Sequence, residues 1–172
     1  MKKHQLIIMR HAKSDWSAGT DTDFERPLTR RGKHDAAQMG AWLTKKGLVP
    51  DRVVSSPAVR AKKTALIVCA ELGIDRGQIT WDERIYEAGV DELLGVIREH
   101  AAAARTLLLV GHNPGLDELL LYLSAVRPER NPTGKLMTTA AAAILDYGDE
   151  PISAGRKSGR LVELVRPKEL AD

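Results

Sequence analysis

A single cysteine, a single phenylalanine and no long apolar run set the first limits on this chain of 172 residues. One cysteine cannot form an internal disulfide or a cysteine-rich metal centre. Cys69 instead falls on the stripe Ala61, Ala65, Val68, Cys69 and Leu72, whose helical spacing marks it as a core residue. The apolar run that follows "MKKHQ" stops at Met9, short of a signal-peptide core, and no later segment approaches the roughly 20 apolar residues of a membrane-spanning helix. A cytoplasmic location with no membrane partner is the expectation. Charge of one sign is also lacking: 26 basic against 23 acidic residues leave a formal +3, and the basic residues are scattered. That argues against a nucleic-acid footprint and leaves the basic excess for solvation and a local anion site.

What is present is 43% apolar and 28% charged residue, enough for one globular domain over residues 1–172 with a real core. Strand-like and helix-like segments alternate, the pattern of an α/β domain with a largely parallel sheet. "QLIIMR" reads as the first strand. "PLTRRGKHDAAQMGAWLTKKG" reads as a helix capped by Thr29, buried along Ala36, Met39, Gly40 and Leu43, and ended by Gly47. "DRVVSS" is a second strand, followed by a helix with Ser56 as cap, Pro57 in its first position and Gly73 just beyond its end. A short strand at "QITWD" precedes a helix that Asp91 caps, with Leu93, Leu94, Ile97 and Ala101 inward. "RTLLLVGHNPGLDELLLYL" repeats the opening grammar of strand, histidine-bearing turn and helix, its stripe being Leu116, Leu119, Leu120 and Leu123. "TTAAAAILDYG" has the alanine content of a helix, but its place before a turn-rich stretch and "LVELVR" predicts a strand hairpin. "RPERNPTG" is a long loop.

In open α/β sheets ligands bind beyond the carboxyl ends of the strands. Arg10 and His11 end the first strand, Arg60 enters the first turn of a helix, and His112 follows the strand "TLLLV". Two guanidinium forks, two imidazoles and two helix N-termini at one crevice suit a phosphate. A lone histidine is usually a satisfied core residue, but Arg10 beside His11 would then bury its charge at cost. Arg60 opposes the helix dipole unless an anion sits nearby. His112 alone reads equally as the start of a turn, and Asn113 as the cap of the next helix. His4, His34 and His100 sit beside charged residues and read as solvated. No metal and no cofactor is expected, because no histidine pair has helix-face ligand spacing and no carboxylate triplet accompanies them. "NPTGKL" fails as a P-loop, with Glu129 in place of the first glycine and Leu136 in place of Ser or Thr.

"MRHAKSDW", "ERPLTRRG", "SSPAVRAKKTA" and "LLLVGHNP", in this order, resemble the histidine phosphatase superfamily, the phosphoglycerate mutase-like or RHG-motif family. The resemblance runs to at least Leu123 and is nearest to its SixA-type phosphohistidine phosphatases; Ala12 stands where the superfamily usually has glycine. It implies a three-layer, mostly parallel sheet flanked by helices. It also implies that His11 attacks phosphorus, its other ring nitrogen donating to a backbone carbonyl, while Arg10, Arg60 and a protonated His112 neutralise the phosphoryl oxygens. Glu83 in "ERIY" is the expected proton donor, with Glu87 second; solvated loop carboxylates are the plain alternative. Asn113 and Arg26 are expected beside the substrate, although Arg26 suits a surface ion pair with Glu25 or Asp23 equally well. With no cap insertion the crevice admits a phosphohistidine presented by a protein partner. A small-molecule phosphate ester and a non-catalytic phosphate-binding module are the alternatives.

Overall fold

The computed structural model describes residues 3–170. Six strands, β1 (His4–Arg10), β2 (Arg52–Ser55), β3 (Ile79–Trp81), β4 (Thr106–Gly111), β5 (Ala142–Gly148) and β6 (Arg160–Val165), form one sheet in the order β3-β2-β4-β1-β5-β6. The pairs β3/β2, β2/β4 and β4/β1 are parallel; β1/β5 and β5/β6 are antiparallel. The four α-helices are α1 (Arg30–Lys45), α2 (Val59–Leu72), α3 (Val90–Ala101) and α4 (Gly115–Leu123). The mostly parallel α/β sandwich and the hairpin at the alanine-rich segment are thus as expected.

The continuous apolar runs of β1 and β4 exist because both faces of the sheet are covered. Ile7, Met9, Leu108 and Val110 join α1 and α2 in one core, while Leu6, Ile8, Leu107 and Leu109 join α3 and α4 in the other. Fully burying each such side chain contributes about 1.5–3 kcal/mol. Cys69 is buried on the α2 stripe, and burial pushes its thiol pKa up to about 11.

Helix ends follow the sequence at some places and depart at others. Thr29 caps α1 through its hydroxyl, which accepts from the Gly32 N–H at 2.9 Å. Gly73 ends α2 in the left-handed region with φ 74°. Ser56 does not cap α2: the helix begins at Val59, and the Ser56 hydroxyl accepts from the Ala58 N–H at 3.2 Å and faces His112 instead. Asp91 does not cap α3 either, because Gly89 is the N-cap and its N–H is taken by the Glu92 carboxylate at 2.9 Å. Two glycines mark close approaches of backbone. A Cβ on Gly32 would lie 2.2 Å from the Lys13 carbonyl oxygen, and one on Gly115 would lie 2.4 Å from that of Ala88. The first seats α1 on the turn after β1, and the second seats α4 on the loop after β3. Among the described residues, no helix is long and apolar enough to cross a membrane.

Candidate active site

Strand register brings the site together. Arg10 of β1 is level with Gly111 of β4, and Val110 of β4 with Ser55 of β2, so Arg10, His11, Ser56 and His112 leave adjacent parallel strands at one height. The backbone of His11 is tied on both sides, its N–H donating to the Gly111 carbonyl at 3.0 Å and its carbonyl accepting from the Ala140 N–H at 3.0 Å. The next N–H, of Ala12, donates at 3.0 Å to the Thr64 hydroxyl, which in turn donates to the Arg60 carbonyl at 2.7 Å. A turn without glycine is therefore held by the sheet and by α2.

The His11 side chain is 6% exposed. Its Nδ1 lies 2.7 Å from the Ala12 carbonyl oxygen, which accepts only, so Nδ1 carries the proton and Nε2 keeps its lone pair. Burial, together with His112, Arg10 and Arg60, pushes the His11 pKa down to about 3 against the opposing hydrogen bond to Ala12. The imidazole is thus neutral near pH 7. The His112 ring stands 5.2 Å from it, centroid to centroid, with Nε2 2.8 Å from the Ser56 hydroxyl. In the free protein burial first, then Arg60, Arg10 and Arg26, push the His112 pKa down to about 4 despite the Asp23 carboxylate, so the protonated His112 expected of the site belongs to the phosphoryl-bound state. A bound dianion favours the charged form and reverses that balance.

Around these rings the arginines are held by their outer nitrogens. Arg10 Nη1 donates to the Met137 carbonyl at 3.0 Å. Arg60, 5% exposed, donates from Nη1 to the Asp23 carbonyl at 2.7 Å and from Nη2 to the Asp23 carboxylate at 2.9 Å. Arg26 is also buried; it donates to the Ser14 hydroxyl and, at 2.9 Å, to Asp23, and it stacks 3.5 Å from the centre of the Trp16 ring. Its partner is therefore Asp23 and not Glu25, although the pair is not a surface one on the arginine side. Arg10 Nε, Arg26 Nε, Arg60 Nε and His112 Nδ1 are buried and have no hydrogen-bond partner. Buried polar nitrogens are seldom left bare, and this group suits an anion.

The adjoining cavity, about 440 Å³, is lined among others by Asp23, Arg60, Tyr86, Glu87, His112 and Asn113. Glu83 is not brought to it: the residue is exposed at the start of a 3-10 turn (Glu83–Ile85), whereas Glu87 reaches the lining. Asn113 both lines the cavity and holds backbone, its Nδ2 donating to the Met137 carbonyl at 2.9 Å and its Oδ1 accepting from the Asp117 N–H at 3.0 Å. The sequence reading missed Tyr86 and Ser56 as neighbours of His112, and gave Asp23 no role beyond an ion pair. The spacing of Asp23 and Arg26 in "DFER" was the one available signal.

His100 corrects the expectation of a solvated ring. It is 4% exposed and accepts from Arg52 Nε at 3.2 Å through Nδ1, which leaves its Nε2–H facing Glu99 at 3.4 Å and Asp82 at 3.7 Å. Asp82, Glu99 and His100 are the one group among the described residues that could gather metal-ligand atoms. Arg84 already spans both carboxylates, and the His100 nitrogen facing them carries a proton.

Residues 6–105 match the model of the histidine phosphatase superfamily (branch 1). An uncharacterized protein of Mycobacterium tuberculosis is 36% identical over 118 residues, 69% of this chain and 71% of that one. An uncharacterized chloroplastic protein of Arabidopsis thaliana is 28% identical over 175 residues, 95% of this chain and 78% of that one. The structure of the protein histidine phosphatase SixA complexed with tungstate superposes with a TM-score of 0.79 at 23% identity, covering 97% of this chain and 99% of that chain.

Proposed function

The chain belongs to the histidine phosphatase superfamily, and on that premise we propose that it is a phosphatase that removes phosphate from phosphohistidine on a protein partner by way of phospho-His11. The observation that carries the reading is a neutral His11 with a free Nε2 lone pair, close to Arg10 and Arg60, whose Nε N–H groups are buried and unpartnered. The fold shared with SixA, solved with a tetrahedral oxyanion, supports the substrate class.

In the first step the His11 Nε2 lone pair bonds to phosphorus as the bond from phosphorus to the substrate nitrogen breaks, its electron pair leaving with a ring whose other nitrogen already carries a proton, so that neutral imidazole departs. Held in line within about 3–3.5 Å, the two reactants avoid most of the entropic cost of meeting. The arginine N–H groups take the equatorial oxygens of a loose transition state. His112, neutral until the dianion arrives, gains charge with it. In the second step water attacks phosphorus, the bond to Nε2 breaks, one water proton passes to solvent or phosphate, and neutral His11 returns. An imidazole leaving group needs no strong acid nearby, which fits a cleft to which Glu83 does not come.

Rapid quench with radiolabelled phosphohistidine protein tests the reading: acid-labile, base-stable label is expected on wild type and none on His11→Ala. Label retained by the variant moves the nucleophile elsewhere, and turnover is expected to persist in EDTA. A phosphate ester is the competing substrate, favoured by Glu87 in the cavity lining. Glu87→Gln decides between them. A general acid contributes about 10²- to 10⁴-fold on an alkoxide leaving group, so an esterase loses that much, whereas phosphohistidine hydrolysis stays within about tenfold.

A further inference from the structure

We propose that Asp23 is a positioning residue, which grips Arg60 and Arg26 by their outer nitrogens and so keeps their Nε N–H groups uncommitted for phosphoryl oxygens. The proposal rests on the reading of the cleft as a phosphoryl site. A guanidinium is planar, with five N–H donors in a fixed fork, so fixing one edge fixes the direction of the other. In Arg60 the edge formed by Nη1 and Nη2 is committed to Asp23, to its carbonyl at 2.7 Å and its Oδ2 at 2.9 Å. In Arg26, Nη2 goes to Asp23 Oδ1 at 2.9 Å and Nη1 to Ser14. In both residues the nitrogen left over is Nε, buried and unpartnered.

The carboxylate is itself held. Tyr86 donates its hydroxyl to Oδ2 at 2.7 Å, and Phe24 packs edge-on against the Tyr86 ring at 5.2 Å. Burial alone would raise the Asp23 pKa, but hydrogen bonds from Arg26, Tyr86 and Arg60 hold it well below the ordinary carboxylate range. It stays charged wherever the enzyme works and opposes the downward shift of His112. A carboxylate that merely occupied the anion site in the absence of substrate would cover the buried donors. Asp23 lines the cavity beside Arg60 but takes only its Nη nitrogens, so the buried Nε atoms of Arg60 and Arg26 stay without a partner.

The experiment is a double-mutant cycle with vanadate as the probe. Asp23→Ala is expected to lower kcat/KM and weaken vanadate inhibition by about 10- to 100-fold, the cost of a misplaced positioning contact. In an Arg60→Ala background the same change is expected to cost less than about threefold, because its main lever is gone. Asp23→Asn, which keeps an acceptor oxygen without the charge, is expected to fall between, and the His112 ring signal should titrate at lower pH in it than in wild type. A purely structural role would not move that titration selectively. Should Asp23→Ala fail to fold, the cycle is run with Asp23→Asn. Tighter vanadate binding by the variant makes Asp23 a competing anion and overturns the proposal, as does full additivity with Arg60→Ala or wild-type activity. If wild type itself neither binds vanadate nor turns over, the phosphoryl reading of the cleft falls, and the proposal with it.

Discussion

Along one wall of the cleft, His11 is fixed by peptide groups, its N–H on Gly111 and its carbonyl under Ala140. Across from it, the segment from Asp15 to Arg26 is exposed for most of its length, and side chains fasten it, Asp23 to Arg60 and Arg26, and Arg26 to Ser14 and Trp16. Peptide rungs are common to every side chain, so substitution on the first wall removes chemistry and leaves geometry. On the second wall substitution removes geometry, and salt weakens what remains, since the Asp23 side chain is 47% exposed. The nucleophile candidate thus sits on the wall that mutation reshapes least, and the substrate edge on the wall it can tune.

The sharpest test of that contrast is Arg10→Ala. Arg10 projects from the end of β1 and gives up its hydrogen bond to the Met137 carbonyl and its attraction to Asp117. The expected result is a loss in kcat/KM of about 10- to 150-fold, the scale of a charged hydrogen bond, with a melting temperature close to wild type. A large drop in melting temperature would show that this wall also depends on side chains. Ser56→Ala comes next. His112 loses its Nε2 partner at 2.8 Å and with it a fixed ring position, so a fall in kcat of about tenfold is expected, comparable to one lost hydrogen bond. A pH–rate profile in which the variant keeps both shape and height would break the assignment.

Acid acts on the strand-end wall through the imidazoles. His11 and His112 have pKa values of about 3 and about 4 in the folded chain, below the unfolded value of 6.5. Between pH 6.5 and those values the unfolded chain binds protons that the folded chain refuses, so stability falls as pH falls across that window and is independent of these groups above it. Each imidazole costs at most about 1.4 kcal/mol per pH unit there. Urea midpoints at pH 7 and pH 4.5 are expected to separate less in His112→Asn than in wild type. The smallest effect is expected of Trp16→Ala. Trp16 is 81% exposed, and its stacking with Arg26 is worth about 0.5–1 kcal/mol, so catalysis should fall by no more than about fivefold. A larger loss would mean that the segment from Asp15 to Arg26, the strap of the second wall, is gripped at its first turn as well as by Asp23.

How far the sequence could be read follows the same division. β1, β4 and their turns were legible because continuous apolar runs need cover on both faces, and charged residues at the end of such runs have nowhere neutral to go. His11, Arg10, Arg60 and His112 could therefore be proposed together; strand register brings the two histidines and Arg10 to one height, and the start of α2 brings Arg60 to the cavity beside His112. Ser56 looked like a helix cap because the sequence shows its local amide but not a histidine 56 residues away. His100 looked solvated because its neighbours are charged, while Arg52 and Asp82, which enclose it, come from other elements. The strap has no hydrophobic period at all. Its organising residue acts on distant partners at Arg60 and Tyr86, so beyond its i,i+3 spacing to Arg26 nothing local distinguishes Asp23 from Asp15 or Asp21.

The two bonds that hold the His11 peptide carry a consequence for exchange with solvent. Its N–H is a rung to β4, at the centre of a sheet buried on both faces, and its carbonyl is closed by the segment that leads into β5. No fraying of a helix or loop can free that amide, so it should exchange with deuterium only when the whole domain opens. The amides of the strap, hydrogen-bonded mostly among themselves, should exchange within the dead time of the same experiment.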